Sequence, residues 1–229
     1  MRTMWTNLIK IWTSNDLLKQ AWNQSFEMLK IDELMFLEAQ RVLRKSDSAE
    51  ADLGIREKDK LVNKYEREVR KKVMTHCAVQ SSFGLAEGLA LVSIVIDIER
   101  IGDYTKNIMD MALNHPLKLE GKSYEKDLQK IEKAVEVNFK KVREILKASD
   151  AKAAMALIKK YKWVNPLCDK RMIDVIKEKD KSISPGESAA LALYFRWLKR
   201  IYAHLRNVTT SVINPFDKIG FKPKKKYIA

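Results

Sequence analysis

The chain has 229 residues, 46% of them hydrophobic, enough for a packed core in one large or two small domains. Only seven Gly and five Pro punctuate it, which favours long helices over a many-stranded sheet with frequent turns. The net charge of +14 lies wholly in the second half: residues 1–115 carry 17 Lys and Arg against 17 Asp and Glu, residues 116–229 carry 27 against 13.

In chain order, Met4, Trp5, Leu8, Ile9, Ile11 and Trp12 form a short amphipathic lead over residues 1–15, suited to dock on the protein itself, on a partner or on a membrane surface. The lead lacks the long apolar core and small-residue cleavage site of a secretion signal. Leu18, Trp22, Phe26, Leu29, Met35, Phe36, Val42 and Leu43 then recur at helical spacing and predict a helix from Asp16 to Lys45. A second helix is expected from about Ser48 past Val73, on the stripe Leu61, Val62, Tyr65, Val69 and Val73, with Ser81-Ser82 breaking it. The third runs from Leu85 to Asn114, and Pro116 stops it.

After the Pro/Gly-containing connection 117–122 the same order repeats: Tyr124 to Lys147, Ala151 to about Glu178, and Pro185 to Asn214. Pro166 should kink or break the fifth helix, and Ser184-Pro185-Gly186-Glu187 reads as a capping box with Pro at the first helical position. Short connections imply antiparallel neighbours, so the expectation is an all-α chain of six long helices in two tandem three-helix bundles, residues 16–116 and 117–214. The tail 215–229 carries an apolar hook and then the basic cluster Lys222 to Lys226. Aligning the third helix of each half sets Arg100, Ile101 and Asn107 against Arg200, Ile201 and Asn207.

Within that frame the run Asp97 to Ile108 plants acids in an otherwise apolar helix. Glu99 and Asp103 are four residues apart, point the same way, and need solvent, a partner cation or a metal. Counting back from a turn near residue 80, Asp59 reaches the same height on an antiparallel second helix, with Asn63 and Glu66 on the next turns. Magnesium or manganese would suit such oxygen ligands, and carboxylate-rich helical sites also hold iron or zinc. Salt bridges to Arg67, Arg70, Arg100 or nearby lysines are the competing reading. In the second half Lys199 and Ala203 replace the two carboxylates, so any metal chemistry would be one-sided.

Other chemistries find little support. Cys77 and Cys168 are far apart, as reduced structural thiols are, and His76, His115 and His204 lack metal-ligand spacing. There is no glycine-rich phosphate loop, and no apolar run reaches the roughly 20 residues that span a bilayer. The positive second half leaves a helical nucleic-acid-binding protein as an alternative, although lysine greatly outnumbers the arginine that base-reading sites favour.

The segments Asp59 to Val69 and Asp97 to Ile108, in that order and spacing, resemble the second- and third-helix signatures of the PhoU family of phosphate-uptake regulators. Val212 to Phe221 looks similar to the closing segment of a PhoU-like subgroup. The resemblance implies a pair of three-helix bundles, a cytoplasmic location and non-enzymatic regulation of inorganic phosphate transport. It also implies E/DxxxD metal sites, iron or zinc among them, which here map to Glu99 and Asp103 with Asp59 and Asn63 as companions. The implied partners are a phosphate transporter or its cytoplasmic subunit, with an anionic membrane surface and a second copy of the chain as further candidates.

Overall fold

A computed structural model describes residues 17–45, 54–79 and 84–223. The expected lead 1–15, the helix starts at Asp16 and Ser48, the Ser81-Ser82 break and Lys224 to Lys226 lie outside the described residues. The first bundle consists of α1 (Leu17–Lys45), α2 (Gly54–Val79) and α3 (Leu85–Asn114). The second consists of α4 (Glu125–Ala148), α5 (Ala151–Lys160), α6 (Val164–Ile176) and α7 (Pro185–Thr210), with short 3-10 turns at Lys122–Tyr124 and Phe216–Lys218. All regular structure among the described residues is helical.

Apolar periodicity makes these helices amphipathic, and α1 shows it most plainly: Leu18, Trp22, Leu29, Met35, Phe36, Val42 and Leu43 are buried. Phe26, expected in that stripe, is only half-buried, and Ser25 turns inward, its hydroxyl donating to the Ala21 carbonyl at 2.9 Å. α2 is far more polar and buries only Ile55, Asp59, Val62, Val69, Val73 and His76. Gly84 starts α3 in the left-handed region, and a Cβ there would lie 2.7 Å from Leu18 Cδ1 and 2.9 Å from His76 Nε2. Glycine is therefore required twice over, for its backbone angle and for the close approach.

The expected fifth helix is two helices. The break falls at Tyr161 to Trp163, which places Pro166 at the third position of α6, where a missing N–H costs no intrahelical bond. The capping box on α7 forms as expected: the Ser184 hydroxyl accepts from the Glu187 amide, and the Glu187 carboxylate accepts from the Ser184 amide at 2.9 Å. α7 ends at Thr210 rather than Asn214, because Ser211, Val212 and Ile213 tighten into i to i+3 bonds before Pro215.

The two bundles share one hydrophobic core, with α3 and α7 packed against each other at its centre. Arg44 of α1 crosses the junction on the other side, bonding to Glu132 at 2.9 Å, to Glu125 and to the Leu119 carbonyl. The buried Tyr194 hydroxyl donates to the same Glu132 oxygen at 2.8 Å.

Candidate cation site

One helical turn separates Glu99 from Asp103, so both lie on the α3 face turned to α2, whereas Asp97, two residues before Glu99, falls on another face. Asp97 meets the second bundle instead: its Oδ1 lies 2.6 Å from His204 Nδ1 and accepts from Asn207 Nδ2 at 3.1 Å. The acid run read as one feature in the sequence therefore divides between two environments.

On the α2 side Asp59 is buried and its Oδ2 accepts from Asn63 Nδ2 at 3.3 Å. Lys106, one turn beyond Asp103 on α3, donates to Asp59 Oδ2 and to Asp103 Oδ1, both at 3.1 Å. Burial acts to lower the Lys106 pKa, but the hydrogen bonds to the two carboxylates outweigh it and the ammonium is held above its usual range. Glu66 pairs with Arg70 at 2.6 Å. Glu99 reaches Arg100 Nε only at 4.0 Å, and burial, with the negative neighbours Asp103, Glu66 and Asp59, raises its pKa.

A fifth acid completes the group. Asp32 of α1 is wholly buried, and neither carboxylate oxygen has a hydrogen-bond partner among the described residues. Burial pushes its pKa well above the usual carboxylate range, and Asp59, Glu99 and Asp103 push it further. A Cβ on Gly102 would lie 3.0 Å from Asp32 Oδ1, so this carboxyl occupies space that only glycine leaves on α3.

The structure thus brings Asp59, Asn63, Glu99 and Asp103 to one junction, as their spacing predicts, and adds Asp32 and Lys106. Asp32 left a trace in the sequence: Leu29, Asp32, Phe36, Ala39 and Leu43 keep helical spacing, so an acid stands in a core position. For Lys106 the trace is its i,i+3 relation to Asp103.

Tested against a metal ion, the oxygen-only donors suit a hard cation, and the unpartnered Asp32 carboxyl is a free donor. Their arrangement does not fit one. Among the described residues no three His, Cys, Asp or Glu side chains are grouped so that they could hold a metal. The ammonium of Lys106 stands between the two nearest carboxylates from different helices.

In the second bundle Lys199 takes the place of Glu99, and its ammonium meets both oxygens of Asp169 at 2.6 and 2.7 Å. Both cysteines are free, and burial pushes the Cys168 thiol up to about 12, which makes it inert.

Residues 26–112 match the model of the PhoU domain, a segment containing Asp32, Asp59, Asn63, Glu99, Asp103 and Lys106. The fold is similar to the crystal structure of PhoU from Pseudomonas aeruginosa, with a TM-score of 0.74 and 20% identity, over 86% of this chain and 95% of that one. It is also similar to the phosphate transport system regulatory protein PhoU from Streptococcus pneumoniae, with a TM-score of 0.66 and 16% identity, over 86% of this chain and 91% of that one. A comparison with curated protein sequences returned no match.

Proposed function

We propose that this chain, which carries a PhoU domain over residues 26–112 and has the PhoU fold, is a non-enzymatic regulator of inorganic phosphate transport. The observation that carries the reading is the domain match, which spans the whole acid junction. Similarity to a phosphate transport system regulatory protein supports the same direction. Regulation would be exerted by contact with a membrane phosphate transporter from the cytoplasmic side. No described helix is long and apolar enough to cross a membrane, so the chain would meet the transporter or the bilayer from its surface.

The second bundle suits that approach. Lys126, Lys130, Lys133, Lys140, Lys141 and Lys147 are all exposed on α4, and each lysine close to an anionic bilayer adds about 1 kcal/mol of attraction. Nucleic acid would meet the same side chains, but all six are lysines rather than the arginines that base-reading sites favour.

The test is phosphate uptake in cells with and without the protein, at low and high external phosphate, with co-purification of the transporter from solubilised membranes. Misregulated uptake in its absence is expected. Unchanged uptake at both concentrations would sink the reading.

A further inference from the structure

We propose that residues 214–221 are a membrane wedge: a fastened hook that sets Phe216 and Phe221 into the surface of an anionic bilayer while the lysines beside them meet the headgroups. This rests on the reading that the chain works at a membrane, and adds the face that touches it. Two side chains fasten the hook. The buried Asn214 donates from Nδ2 to the Lys218 carbonyl at 2.7 Å and to the Phe221 carbonyl at 3.0 Å. Thr210 Oγ1 accepts from the Gly220 amide at 2.7 Å, and Gly220 takes the left-handed φ of +85° that the turn needs. Ile219 packs against the core, yet Phe216 is 41% exposed and Phe221 66%.

Single apolar residues on a surface are ordinary, but these two are held outward on a fixed loop and have company. The pairs Asp97–Asn207 and Tyr104–Arg200 set α3 antiparallel to α7. Helical rise carries that register on, so the exposed Leu85 and Leu89 reach the level of the hook beyond Thr210. The turn Phe216–Lys218 itself packs against α3. α4 is antiparallel to α1, with Glu132 on Arg44 and Arg143 on Glu33, so the exposed Lys147 comes to the same end, where Leu18 lies against Gly84.

The charge at this end complements an anionic bilayer. Residues 211–229 hold five lysines, no arginine and one acid, Asp217, which Lys218 meets at 3.1 Å. Lys218 and Lys222 are exposed and each lies within two residues of an exposed phenylalanine. Lysines are compact point charges that suit a diffuse layer of lipid headgroups, whereas one fixed phosphate favours the arginine fork. Rings at headgroup depth, with leucines beside them, gain by entering the acyl boundary. A nucleic-acid strand would stack on the phenylalanines but gain nothing from Leu85 and Leu89.

The experiment is co-sedimentation of the full chain with phosphatidylcholine vesicles, plain or containing phosphatidylglycerol, at low and high salt. Wild type, Phe216→Ser/Phe221→Ser, Lys218→Gln/Lys222→Gln and Trp5→Ser/Trp12→Ser are compared, each checked for native melting. Wild type is expected to bind the anionic vesicles and to keep part of that binding at high salt, because apolar insertion is not screened. The phenylalanine pair should lose at least about tenfold in partitioning, and the lysine pair should lose binding chiefly at low salt. Wild type that ignores anionic vesicles overturns the proposal, and this arm needs no variant to fold. A folded phenylalanine pair that binds as wild type overturns it equally. A loss seen with the tryptophan pair and not with the phenylalanine pair assigns the contact to the lead and also overturns it. Vesicle binding and phosphate uptake are separate readouts: regulated uptake without vesicle binding refutes the wedge alone, and vesicle binding with unchanged uptake refutes the transport reading alone.

Discussion

Asp97 and His204 join the two bundles through one short hydrogen bond, 2.6 Å from Asp97 Oδ1 to His204 Nδ1, with the histidine ring stacked against Tyr104 at a centroid distance of 5.8 Å. Arg200 Nη2 lies 3.3 Å from His204 Nε2, and a guanidinium can only donate, so Nε2 accepts and Nδ1 carries the hydrogen given to Asp97. Arg200 Nε in turn donates to the Tyr104 hydroxyl at 3.1 Å. Asp97 is the one carboxylate in this set, and it accepts from both His204 and Asn207. Asp97→Ala leaves one buried donor, His204, and one half-buried donor, Asn207, without their acceptor and is expected to cost about 2–3 kcal/mol. Urea unfolding monitored by circular dichroism measures the loss. A change smaller than about 0.5 kcal/mol would place Asp97 outside the interface's energetics.

Arg44 makes a second prediction, because it is the buried cation for two carboxylates of the other bundle. Burial keeps the Glu132 pKa raised even against the attraction of Arg44 and the Tyr194 hydrogen bond. Arg44→Met strands Glu132 in the core and is expected to cost about 3–5 kcal/mol, whereas adding Glu132→Gln removes the stranded charge and recovers a large part. Thermal melts of the two variants side by side decide it. Equal losses in both would mean that packing of the arginine stem, not charge, governs the site.

Much of this architecture could be read from local signals. α3 runs from Leu85 to Asn114 as expected, because its apolar run and Pro116 are properties of adjacent residues. The Ser184 and Glu187 box is likewise local. Pro166 announced a break, but whether the chain would kink or restart depended on packing around Tyr161 and Trp163. The acid junction was half legible. Helical rise alone puts Asp59 beside Glu99 and Asp103, since both helices count from one turn. Asp32 was hidden because it comes from α1, whose height relative to α3 no short turn sets. Lys106 was hidden because a lysine's reach across helices depends on its stem's path. The division of Asp97 from Glu99 required knowing that α7 covers the opposite face.

Gly102 supplies a third prediction, drawn from that hidden contact. Its missing side chain makes room for Asp32, whose Oδ1 would lie 3.0 Å from a Cβ. Gly102→Ala is expected to destabilise by roughly 1–3 kcal/mol, less the gain in helix propensity of about 1 kcal/mol. In a chain already carrying Asp32→Ala the clash disappears and the same substitution should be neutral or stabilising. The double-mutant cycle therefore changes sign if the contact is real, and additive effects would exclude it.

Asp32 itself predicts an unusual pH dependence. At pH well below about 4 the carboxyl is protonated in both folded and unfolded chains and its burial carries no charge penalty. As pH rises through that value the unfolded chain releases the proton, while burial and the three acids around it keep the proton on the folded chain. The folded state then binds more protons than the unfolded state, so stability falls with rising pH until the raised folded pKa is reached. Asp32→Asn cannot ionise and loses this dependence. Its stability relative to wild type should therefore improve between pH 4 and pH 8, by about 1.4 kcal/mol for each unit by which the folded pKa is raised. Any constant cost of the amide cancels in that difference. Denaturation curves at the two pH values measure it, and a relative stability that stays flat or declines would show that Asp32 ionises in the folded protein as an ordinary carboxylate.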